Sequence, residues 1–107
     1  METISVAEAF ERIENDSSVV LLYVLKSSKI NSTLENVCEL IDEHNKVVNI
    51  VKVEIDPENL TKKAARKIGL IRLPQLRFYS KGSVLLGTMT GQTAPSEVYE
   101  KILSIYT

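Results

Sequence analysis

Thiol and imidazole side chains are scarce in the 107-residue chain, which limits its chemistry from the start. There is one cysteine, Cys38, and one histidine, His44. A lone thiol cannot close an internal disulfide, form a dithiol pair or build a cysteine-based zinc site. A lone imidazole excludes a multi-histidine metal centre, while a carboxylate site stays open. As a monothiol nucleophile or redox sensor, Cys38 would need exposure and a lowered pKa. Yet it shares an apolar stripe with Leu34, Val37 and Ile41. It also lies about two turns past a helix start, where the macrodipole has faded. A small core residue is expected there. His44, in Asp42-Glu43-His44-Asn45, falls at the C-terminal end of the same helix. The dipole favours a polar or cationic side chain at that position, so capping rather than catalysis is expected.

Two further groups of residues invite a chemical reading. Ser27 and Ser28, flanked by Lys26 and Lys29, precede the helix that carries Cys38. Hydroxyls and free N–H groups at a helix start attract anions, and plain N-capping accounts for the same serines. Lys62, Lys63, Arg66 and Lys67, with Arg72 and Arg77, are the candidates for a basic patch. No aromatic residues interleave with them to stack bases. Thirteen Lys+Arg against fourteen Asp+Glu leave a formal charge of -1, so there is no basic field for nucleic acid. A solvated helix face is expected, with Ala64, Ala65 and Ile68 turned inward.

Hydrophobic periodicity sets the elements that position these residues. Ser5-Val6-Ala7-Glu8 is a capping box, and Val6, Phe10 and Ile13 follow at helical spacing, which predicts a first helix over Ser5–Asn15. Val19 to Leu25 is apolar without alternation, as in a strand buried on both faces. Ile30, Leu34, Val37, Cys38 and Ile41 form one stripe of a second helix, capped by Ser28 or by the box Ser32-Thr33-Leu34-Glu35. Val47–Ile55 reads as a strand. Asp56 caps a third helix with Pro57 at its first position, and Gly69 ends it. Gln75–Ser80 and Ser83–Met89 form a hairpin through Ser80-Lys81-Gly82. Pro95 starts a last helix with Val98, Ile102, Leu103 and Tyr106 on its apolar face. The order (β)αβαβαββα implies an α/β domain with a mixed four- to five-stranded sheet, Val19–Leu25 at its centre and helices on both faces.

The size fits a single domain over residues 1–107, and 44% hydrophobic with 25% charged residues is ordinary globular composition. Val19–Leu25, the longest apolar run, is far too short to cross a membrane. The acidic start Met1-Glu2-Thr3 leads into no secretory apolar region, so a soluble cytoplasmic protein is expected.

Three stretches together resemble the thioredoxin family over nearly the whole chain: the strand Val19–Leu25, the strand and cap Val51-Lys52-Val53-Glu54-Ile55-Asp56, and the run from Ile68-Gly69 through Leu73-Pro74-Gln75 to Gly82. Gly91 stands where that family places a glycine on its substrate-facing rim. The resemblance implies the thioredoxin fold, with a cis bond before Pro74. It also exposes what is missing. Aligned on the central strand, Ser28-Lys29-Ile30-Asn31 occupies the place of the family's Cys-x-x-Cys, and Ser27 that of its tryptophan. Leu22 aligns with the family's buried aspartate. Lys52 aligns with a lysine near that aspartate and is expected to be a solvated lysine on a strand. Disulfide exchange needs an attacking thiolate and a resolving thiol, and this chain supplies no such pair.

The expected function is a redox-inactive thioredoxin-like domain that binds another protein or an extended peptide. Its surface would be the rim of Ser28, Lys29, Ile30, Asn31, Leu73, Pro74, Gln75, Thr90 and Gly91, with Ile30 and Leu73 as exposed apolar contacts. No catalytic residue, metal, cofactor, nucleic acid or membrane is expected. The alternative is a thiol-dependent enzyme in redox homeostasis, with a Cys38 monothiol activity or a glutathione-type activity at Ser28. A plainer third reading is a structural or oligomerising domain.

Overall fold

The computed structural model describes residues 1–15, 18–26, 32–44, 48–56, 73–81, 84–90 and 94–106. Within them run β1 (Glu2–Ile4), α1 (Val6–Asn15), β2 (Ser18–Leu25), α2 (Ser32–His44), β3 (Asn49–Ile55), β4 (Gln75–Ser80), β5 (Val84–Thr90) and α3 (Pro95–Tyr106). The expected helix after Asp56 and the turn at Gly82 lie outside the described residues.

The sheet is five-stranded and mixed, in the order β1-β3-β2-β4-β5. β3 runs parallel to both β1 and β2, whereas β4 runs antiparallel to both β2 and β5. The central place of β2 follows from its composition. Val20, Leu22 and Val24 enter a core beneath α2 and α3, while Val19, Leu21 and Tyr23 enter a second core that contains Ala9 and Ile13 of α1. A strand with apolar side chains on both faces stays dry only when both faces are covered.

Local chemistry sets the helix boundaries. Ser5 caps α1: its Oγ accepts the Glu8 N–H at 3.2 Å. The box closes differently from the usual pattern, because the Glu8 carboxylate accepts the Ser5 hydroxyl at 3.1 Å. On α1 the buried pair is Ala9 and Ile13, and Phe10 is 50% exposed, which corrects the stripe expected from spacing. Ala9 faces the sheet, and the bulkier Phe10 is left on the flank. Arg12 of α1 pairs with Glu2 of β1. In α2 the expected stripe holds: Leu34, Val37, Cys38 and Ile41 are all buried. Val98 and Ile102 anchor α3, with Ile105 and Tyr106 partly buried against the same core. The Tyr106 hydroxyl donates to the Tyr79 carbonyl at 2.9 Å, with the Val19 carbonyl at 3.3 Å, tying the last helix to β4 and β2.

Candidate functional site

In open sheets with parallel strands, ligands gather beyond the carboxyl ends of those strands. Here β2 ends at Leu25 beside Ile55 of β3, and the Lys26 N–H donates to the Ile55 carbonyl at 2.9 Å. β4 starts at the same end. Gln75 lies opposite Tyr23 on one side and Thr90 on the other. The end of β2, the Leu73–Pro74 segment and the end of β5 are therefore neighbours by register. The Leu73–Pro74 peptide bond is cis.

Of the expected rim residues, Ser28, Lys29, Ile30, Asn31 and Gly91 lie outside the described residues. Thr90 is exposed and Leu73 is half-buried, packed against the core cluster beneath α1. Pro74 is buried, as is Gln75 at 7% exposure. The Gln75 side chain is engaged inside the fold, where its Oε1 accepts the Arg77 Nε–H at 2.6 Å. The Arg77 guanidinium lies 5.4 Å from the centre of the Tyr23 ring, a cation–π distance. Spacing alone groups Arg77 with the solvated basic residues; the structure instead holds it part-buried in this cluster. The alternation of Gln75, Arg77 and Tyr79 on one strand face was the signal in the sequence that could have located it. Burial, with Tyr79 close by, raises the Tyr23 phenol to about 12.

Leu22, Cys38 and Lys52 lie in or beside the core on the α2 side of the sheet. Leu22 is 0% exposed, in the same apolar cluster as Cys38, Leu34 and Val37. A carboxylate there would need a partner to offset its desolvation, whereas leucine needs none. Cys38 is also 0% exposed. Burial, reinforced by Asp42, Glu35 and Glu39, pushes its thiol up to about 12. Lys52 is not a solvated lysine: its Nζ lies 3.9 Å from Glu35 Oε1, and the two side chains are only 20% and 27% exposed. Glu35 belongs to α2, so this partner comes from another element and adjacent sequence does not reveal it. His44 is exposed at the end of α2, as its position implies.

Among the described residues no cluster of three or more His, Cys, Asp or Glu side chains could hold a metal ion. No helix there is long and apolar enough to cross a membrane.

Comparison with protein-family models and with curated proteins gives no match. Solved structures do match. A thioredoxin of Malassezia sympodialis aligns over 100% of this chain and 91% of its own, with a TM-score of 0.77 and 20% identity. The oxidised thioredoxin of Plasmodium falciparum aligns over 100% and 99%, with a TM-score of 0.73 and 15% identity. The Fasciola hepatica thioredoxin aligns over the full length of both chains, with a TM-score of 0.71 and 15% identity. Strand order, register and these alignments agree: the chain has the thioredoxin fold.

Proposed function

We propose that this is a redox-inactive thioredoxin-like domain that binds another protein or an extended peptide. Its surface is the rim of Ser28–Asn31, Leu73, Thr90 and Gly91, to which the buried Pro74 and Gln75 contribute backbone rather than side chains. The observation that carries this reading is Cys38. It is the one thiol in the sequence, it is 0% exposed, and burial pushes it up to about 12. The nucleophile of disulfide exchange is a thiolate, and a second thiol must resolve the mixed disulfide. Neither a reactive thiolate nor a partner thiol is available. The Cys38 enzyme reading is disfavoured for the same reason. At the strand ends, half-buried Leu73 comes two residues before Gln75, whose register partner is the exposed Thr90, and an apolar side chain at this end suits an extended peptide.

Insulin-disulfide reduction in dithiothreitol tests the redox half of the proposal. The wild type and Cys38→Ser should run at the rate of dithiothreitol alone, and a wild type faster than the variant overturns it. Screening extended peptides against the isotopically labelled protein tests the binding half. Amide shifts at Leu73, Gln75 and Thr90, weakened in Leu73→Asp, support the rim. Ligands that shift only residues remote from it overturn that assignment.

A further inference from the structure

The α2–α3 layer carries a second surface, distinct from the strand ends. Val37, Leu40, Ile41 and His44 of α2 and Pro95 and Tyr99 of α3 line an open groove of about 360 Å³. Leu40 and Tyr99 stand on its walls with 54% and 43% of their surfaces exposed. Val37 and Ile41 form a buried apolar floor. Residues 37, 40, 41 and 44 occupy one face of α2, and Glu43, three residues past Leu40, borders that face, whereas Glu39 lies on the far side of the helix. On α3 Glu100 stands four residues past Ser96, which also lines the groove. Both bordering carboxylates are exposed.

Charge along the two helices leans acidic. α2 carries Glu35, Glu39, Asp42 and Glu43 with no lysine or arginine, although Glu35 faces Lys52 and Asp42 faces the Met1 amino group, and α3 carries Glu97 and Glu100 against Lys101. Glu43 and Glu100, the two that border the groove, set the charge of its edges. An apolar trough between two acidic helices selects its occupant by charge as well as by shape. We propose that it docks a basic amphipathic helix of a partner protein. Apolar anchors at helical spacing would seat on Leu40 and Tyr99, and flanking lysines or arginines would reach Glu43 and Glu100. A second copy presenting this same layer would set carboxylates against carboxylates, and an acidic helix would be repelled likewise.

The probe is a helical peptide of about 18 residues, with leucines at helical spacing and lysines elsewhere, beside a counterpart with every lysine replaced by glutamate. Both are titrated into the labelled full chain. The lysine peptide should shift amides in 37–44 and 95–103, and bind more weakly as salt rises. The glutamate peptide should shift none. Leu40→Ala and Tyr99→Ala change exposed side chains and should each weaken binding about tenfold. E43K/E100K should reverse the preference between the two peptides. Equal binding of both peptides, shifts confined to the rim at Leu73 and Thr90, or no shifts at saturating peptide each overturn the proposal. Rim shifts alone would leave the reading of the strand ends intact, so the two surfaces fail separately.

Discussion

Raising pH past the ordinary range of a thiol isolates the effect of burial on Cys38. Its pKa stands at about 12 rather than 9.0, chiefly through desolvation. At pH 8 a thiol of pKa 9 is about one-tenth ionised, whereas one of pKa 12 is ionised to about one part in 10⁴. Thiolate content alone therefore slows labelling by about 10³-fold, and the need for a local opening slows it further. The same shift acts on stability. The folded pKa lies above the unfolded one, so the contribution is fully present below pH 9 and is lost as pH rises from 9 toward 12. Between those limits Cys38 should remove about 1.4 kcal/mol of stability per pH unit. Tyr23 and Tyr106, both raised from 10.0 to about 12 mainly by burial, act in the same direction above pH 10. The assay is labelling by an aromatic disulfide, native against guanidinium-unfolded, with urea melts along the pH series. Cys38→Ala should start from a lower stability and lose it less steeply between pH 9 and 10. Native labelling at pH 8 within tenfold of the unfolded rate would refute the reasoning.

Other substitutions test the packing and the polar links. Leu34→Ala, in the core beneath α2, should cost about 2–5 kcal/mol in urea melts with the m-value unchanged. Tyr106→Phe removes a buried-end hydroxyl that donates to the Tyr79 carbonyl, and should cost about 0.5–1.5 kcal/mol. Lys52→Met breaks a partly exposed ion pair and adds apolar contact, so its unfolding free energy should stay within about 1 kcal/mol of wild type. A Cβ at Gly87 would meet the flexible end of Lys101 at 3.2 Å and Ile105 at an ordinary 3.8 Å, so Gly87→Ala should leave the melting temperature nearly unchanged.

The central strand was legible because its signal is local. Seven apolar residues without alternation have one satisfactory location, a strand covered on both faces. The α2 stripe was legible for the same reason, since a 3.6-residue period names its buried face directly. Where neighbours are tertiary, sequence reading fell short. Phe10 fits the helical period, but the face of α1 that packs on the second core holds Ala9 and Ile13 and leaves Phe10 half exposed. β5 exposes Val84, Leu85 and Leu86 in succession, where strict alternation would bury one of them. A register shift between Phe78 and Tyr79 leaves Leu86 without a partner on β4, and that break in pairing has no local signature. The Lys52–Glu35 pair and the α2–α3 groove each need two elements to meet. Leu40 and Tyr99, apolar residues outside the main stripes, were the hint of the groove.

The place of β2 has a consequence for how the chain is made. Its left-hand neighbour β3 and the cover of α2 are encoded before residue 56, whereas its right-hand neighbour β4 begins only at Gln75. As the polypeptide leaves the ribosome, there is an interval in which Val19–Val24 has one hydrogen-bonding edge satisfied and the other open. That edge is uncharged and β-prone, the composition that recruits foreign strands. A fragment cut after Asp56 should accumulate in inclusion bodies, and co-expression of the segment from Leu73 onward should return it to the soluble fraction.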